Sequence, residues 1–114
     1  MFVLFQVLEQ TELLPQIIEK LATIGVPGVT VLDTMGMGRI LLQSSTDIPT
    51  LEVIKSVIEK RQPTNKTLFA VIEKEETVNK AIEAIESLCG DLNDPGKGII
   101  FVFPLKMAKG IRKV

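Results

Sequence analysis

Apolar residues recur along this chain in two rhythms, short strand-like runs and longer stripes at helical spacing, and their order predicts the architecture. Phe2–Leu8 is β-rich and nearly continuously apolar, the pattern of a strand covered on at least one face. A helix is predicted to open at Thr11: Leu13, Leu14, Ile17, Ile18, Leu21 and Ala22 share one face, while Glu12, Gln16, Glu19 and Lys20 take the other. Pro15 falls in its first turn, where a missing N–H costs little, and Gly25 closes it. After the turn Val26-Pro27-Gly28, residues 29–33 form a second predicted strand, which Ile40, Leu41 and Leu42 extend past a glycine break. Asp47 and Pro49 open a further helix over 47–60, with Leu51, Ile54, Val57 and Ile58 at helical spacing and Arg61-Gln62-Pro63 as its end. Residues 67–73 predict the third strand. Val78, Ala81, Ile82, Ile85, Leu88 and Cys89 line one face of the next helix, which Gly90 terminates, and residues 99–105 predict the fourth strand, stopped near Pro104.

The order is strand, helix, strand, inserted helix, strand, helix, strand. Two such βαβ halves make a ferredoxin-like α+β sandwich, with an extra helix between strands 2 and 3 and helices on one face of an antiparallel sheet. Residues 1–114 read as one domain, with no linker or low-complexity segment. Strands apolar on both sides leave the second sheet face in need of cover, so a trimer or other self-assembly is expected.

Composition narrows the chemistry. Thirteen basic and fourteen acidic residues give a net charge of −1, which argues against nucleic acid as a partner; the basic residues Lys106, Lys109, Arg112 and Lys113 gather in the tail, enough for one anionic ligand. The chain has no histidine and a single cysteine, Cys89. A metal site is therefore not expected, and histidine-based acid–base catalysis is excluded. Cys89 falls on a helical apolar stripe and reads as an inert core thiol. The five phenylalanines, Phe2, Phe5, Phe69, Phe101 and Phe103, all lie in strand-like runs and are expected to pack in the core. No apolar run reaches the ~18 residues of a membrane span, and the N-terminus lacks a leader pattern. A cytoplasmic protein is expected.

Two glycine-rich turns meet basic side chains beside strands, Gly36-Met37-Gly38-Arg39 and Asn93-Asp94-Pro95-Gly96-Lys97-Gly98. Glycine with φ > 0 brings backbone N–H groups close to a ligand, and Arg or Lys supplies charge for phosphate oxygens. Together the two turns predict an anion pocket.

In these residues the chain resembles the PII signal-transduction superfamily. Gly25-Val26-Pro27-Gly28-Val29-Thr30-Val31 is similar to that family's approach to its second strand, and Gly36-Met37-Gly38-Arg39 to the Gly-Phe-Gly-Arg at the foot of its T-loop. Gly96-Lys97-Gly98-Ile99-Ile100-Phe101-Val102 resembles its B-loop and last core strand. The resemblance implies a homotrimer binding ATP, ADP or AMP between subunits, with Thr30, Gly36, Met37, Gly38, Arg39, Gly96, Lys97, Gly98 and Arg112 as ligand-binding residues. It further implies a regulatory, non-enzymatic function without a required cofactor, exerted on a protein target through the T-loop-equivalent segment 39–66, here partly helical. The chain departs from the family in having no tyrosine to modify, in placing Lys97 before the last loop glycine with Ile99 after it, and in carrying Gly110 where an arginine is expected. These departures leave open an interaction module on the same fold that binds no ligand.

Overall fold

In the computed structural model, which describes residues 1–43 and 64–111, four strands form one antiparallel sheet in the order β2-β3-β1-β4. They are β1 (Phe2–Leu8), β2 (Thr30–Thr34), β3 (Asn65–Ile72) and β4 (Gly98–Pro104). β1 lies at the centre because its backbone is paired on both sides, with β3 from Phe2↔Ile72 to Leu8↔Lys66 and with β4 from Phe2↔Pro104 to Leu8↔Gly98. β2 pairs only with β3, from Thr30↔Phe69 to Thr34↔Asn65. This is the ferredoxin-like arrangement that the alternation of elements predicts. The predicted helix at 47–60 lies outside the described residues.

The first helix begins as a 3-10 turn at Thr11–Leu13 and becomes α-helical as α1 (Leu14–Thr23), with Pro15 in its first turn. At its end the Val26 N–H reaches the Leu21 carbonyl at 3.0 Å while Gly25 takes φ +95°, a Schellman-type closure. The long helix near the C-terminus, α3 (Glu75–Cys89), has Glu75 and Glu76 in its first turn, where carboxylates complement the helix dipole. Between them in sequence, α2 (Met37–Gln43) follows β2 directly.

That short helix corrects one expectation. Ile40, Leu41 and Leu42 do not extend β2: they lie in α2, and the pairing of β2 with β3 ends at Thr34↔Asn65. The chain satisfies its backbone locally instead: the Ile40 N–H donates to the Gly36 carbonyl at 3.2 Å and opens a helical turn.

The side-chain period of two sends alternate residues to opposite faces of the sheet. Leu4, Leu8, Leu68, Ala70 and Ile72 join Ile17 and Leu21 of α1 and Val78, Ala81, Ile85 and Cys89 of α3 in one buried core. Ile18 and Ala22, expected on the buried stripe of α1, are exposed; only the Ile17 and Leu21 row faces the sheet squarely. Burying a side chain such as Leu21 is worth about 1.5–3 kcal/mol.

The phenylalanines divide between the faces. Phe2 packs against the core, whereas Phe5, Phe69, Phe101 and Phe103 stack on the side away from the helices, with Phe5 centred 5.2–5.8 Å from the other three rings. Core packing is thus the wrong account of those four: register, fixed by Phe5↔Phe69 and Phe5↔Phe101, turns them outward. With Val3, Val7, Val71, Ile99 and Leu32 they make most of the second sheet face apolar, with Thr30, Thr34 and Thr67 toward the β2 edge, and Phe101, Phe103, Ile99 and Leu32 are all exposed.

Candidate functional site

Both glycine-rich segments lie at the same end of the sheet. β2 finishes there at Thr34, and β4 begins there at Gly98. They stand on opposite edges, however, because β3 and β1 lie between them. Three inter-strand steps of about 4.8 Å put them roughly 14 Å apart. Within one subunit the two segments are therefore not neighbours.

On the β2 edge, Gly36 lies beside Asn65, whose Nδ2 is 3.7 Å from the place a Cβ on residue 36 would occupy. The expectation of φ > 0 fails for Gly36 and Gly38, because the segment turns as the start of α2 and not as a left-handed loop. Arg39 emerges from the first turn of α2, half-buried, and its Nε is buried with no hydrogen-bond acceptor among the described residues. A buried guanidinium N–H without an acceptor loses its hydration for nothing unless an anion completes it. At the same end of β2 and β3, Thr34 and Thr67 share a hydrogen bond of 2.8 Å between hydroxyls, and Lys66 pairs with Asp33. Met35, Met37 and Ile40, close to it in sequence, are exposed.

The β4 edge meets the expectation of a left-handed glycine loop. Gly96 takes φ +79° and Gly98 φ +94°. The loop is held from within: the Asn93 N–H donates to Asp91 Oδ1 at 2.9 Å, the Asp94 N–H to the Asp91 carbonyl at 3.0 Å, and the Leu92 N–H to Glu86 Oε2 at 3.2 Å. Glu9 Oε2 lies 3.8 Å from where a Gly96 Cβ would be. Lys97 turns to the helix side of the sheet. Its Nζ is 3.6 Å from the Cβ position of Gly90, at the C-terminal end of α3, where a cation complements the helix dipole.

Thr30 sits elsewhere. It is the first residue of β2, about 14 Å along the strand from Thr34, and it borders an open groove of ≈ 320 Å³ shared with Phe69, Lys109, Gly110 and Ile111. The tail thus reaches the β2 edge of the sheet after leaving β4 on the other edge, with the Leu105 N–H bonded to the Met1 carbonyl on the way. Arg112 lies outside the described residues.

Sequence reasoning missed Gln6. It is fully buried on the helix side of β1, its Nε2 lies 4.0 Å from Cys89 Sγ, and its Oε1 has no hydrogen-bond partner among the described residues. Burial raises the Cys89 pKa above the ordinary value of 9.0, against the lowering effects of Gln6 and of Lys97. Cys89 is the buried core thiol that its place on the apolar stripe predicts. Among the described residues no cluster of His, Cys, Asp or Glu could hold a metal ion, and no helix is long and apolar enough to cross a membrane.

Comparison with family models settles the lineage: the model of the nitrogen regulatory protein P-II matches residues 3–114. The chain belongs to the P-II family. Its four-stranded antiparallel sheet is consistent with the fold of that family, and membership supports a role in signal-transduction regulation. P-II proteins are typically trimers that bind effectors and partner proteins. No curated protein matches the chain in sequence.

Proposed function

We propose that this P-II protein is a homotrimeric cytoplasmic sensor whose intersubunit clefts bind a small anionic effector, an adenine nucleotide, and that segment 39–66 reports occupancy to a protein target. The observation that carries the reading is the division of the candidate site between opposite sheet edges. Arg39 and the Gly36–Gly38 backbone belong to one edge, and the left-handed Gly96 and Gly98 to the other. Each edge is half a pocket, and the exposed apolar face between them favours self-association that would bring unlike edges together.

The mechanism needs no chemistry on the ligand. Arg39, with an unsatisfied buried Nε, gains an acceptor when an anion enters, and α2 connects it directly to the reporting segment. An effector that binds one arrangement of α2 more tightly shifts the population toward that arrangement, and a target protein reads the shift.

Calorimetric titration of the full chain with adenine nucleotides, alongside light scattering, tests the reading. Saturable binding to a trimer supports it. Heat changes that do not exceed dilution at millimolar nucleotide would point to a ligand-free interaction module.

A further inference from the structure

We propose that the groove between the exposed flanks of α1 and α3 is a docking surface for a basic amphipathic helix of a partner protein. None of its lining residues belongs to either glycine-rich segment. The groove has a volume of ≈ 510 Å³; Ile24, Ala84 and Leu88 line it with apolar surface, and Glu19, Lys20 and Thr23 stand along its α1 side. Ile24 and Leu88 are half-buried and continue the core outward, while Ala84 contributes only a methyl group, which leaves room for side chains of a third helix laid between the two. Glu19 and Thr23 follow each other along α1 at i, i+4, so the polar groups form a rim beside an elongated ligand and do not converge on one point as they would for a small molecule.

Charge selects the occupant. The first helix (residues 11–23) and α3 together carry six glutamates against two lysines, whereas the rest of the chain has eleven basic and eight acidic residues. Both lysines are engaged, Lys80 with Glu76 at 3.2 Å and Lys20 of α1 with the Ser87 hydroxyl of α3 at 3.4 Å. Glu19 on the rim and Glu83, next to Ala84 in sequence, are exposed, and their carboxylates have no cationic partner among the described residues. Such a surface attracts basic side chains and repels nucleic acid and anionic lipid. A helix with aliphatic residues on one face and Lys or Arg along its margins matches it in shape and in sign.

Fluorescence anisotropy with the full chain and a labelled Leu/Lys amphipathic peptide of about fourteen residues, roughly 21 Å long as a helix, tests the proposal. Wild type is expected to bind this peptide saturably, and to bind a Leu/Glu peptide of the same pattern at least about tenfold more weakly. Ala84→Trp fills the groove without changing the charge and should weaken Leu/Lys binding by about tenfold or more, with melting temperature and light scattering close to wild type. Glu19→Lys combined with Glu83→Lys should weaken it by a similar factor and strengthen binding of the Leu/Glu peptide. Leu/Lys binding that Ala84→Trp leaves unchanged would put the peptide elsewhere on the surface, and equal binding of the two peptides would remove the charge selection. Either result, or no saturable binding by wild type, overturns the proposal and leaves the nucleotide cleft untouched. If Ala84→Trp does not fold, Thr23→Trp, at an exposed position on the same groove, takes its place.

Discussion

Gly98 faces the Val7 carbonyl so closely that a Cβ on residue 98 would sit 1.9 Å from that oxygen. The obstacle is backbone in the central strand, so no side-chain rotation relieves it, and φ +94° adds strain for any other residue. Gly98→Ala is expected to cost about 3 kcal/mol or more, lowering the melting temperature by roughly 10 °C or more. A melt unchanged from wild type would contradict the packing of the loop against β1.

Gln6 offers the opposite prediction. Its amide is fully buried, its oxygen has no hydrogen-bond partner among the described residues, and its Nε2 makes a weak contact with sulfur. Gln6→Met keeps the shape and removes the unsatisfied group, so it should be neutral or stabilise by about 1–2 kcal/mol in urea titration. Gln6→Glu should destabilise strongly at neutral pH. A clear loss of stability in Gln6→Met would show that the amide has a partner of its own.

Cys89 makes stability depend on alkaline pH. Burial raises its folded pKa above 9.0, so the unfolded chain releases the proton first and binds fewer protons than the native state. The contribution is present in full below the ordinary thiol value and is lost as pH rises through it toward the folded one. Denaturation midpoints measured from pH 7 to 10 should fall more steeply for wild type than for Cys89→Ala. Native protein should also resist thiol reagents at pH 7 until it is unfolded.

The outer phenylalanine cluster should hold the assembly together. Phe101 stacks on Phe5 at 5.2 Å and is exposed in the single subunit. Phe101→Glu places a charge where a neighbouring subunit is expected and should shift light scattering from trimer to monomer at micromolar concentration. A trimer that survives the change would move the interface away from this face.

For the cleft, Arg39→Ala removes the buried guanidinium that lacks an acceptor. Charge-assisted hydrogen bonds contribute about 1.5–3 kcal/mol, so nucleotide affinity should weaken by roughly 10- to 150-fold in calorimetry. Equal binding by wild type and variant would remove Arg39 from the site.

Most of the architecture was legible because it rests on periodicity. β1 spans Phe2–Leu8 as its apolar run predicts, and the α3 stripe through Val78, Ala81, Ile85 and Cys89 is buried as its spacing requires. The stretch after Gly36 was not legible, since a short apolar run fits strand and helix alike. Nor was the facing of Phe5, Phe69, Phe101 and Phe103, which depends on register among three strands distant in sequence. Within the candidate site, residue types pointed to the two glycine segments, but the side of the sheet taken by Lys97 depends on how the loop docks on α3, a tertiary relationship with no local signature. Gln6 gave no signal because a single polar residue in an apolar run reads as ordinary alternation.

The separation of the two glycine-bearing edges by the full width of the sheet also sets how such sites would be inherited in mixed assemblies. In a head-to-tail ring each subunit lends its α2 edge to one neighbour and its loop edge to the other. A subunit crippled on the first edge, mixed with one crippled on the second, would regenerate an intact cleft that neither homotrimer possesses. Complementation of this kind would make dominance and rescue among variants a matter of which edge is damaged, not of how badly.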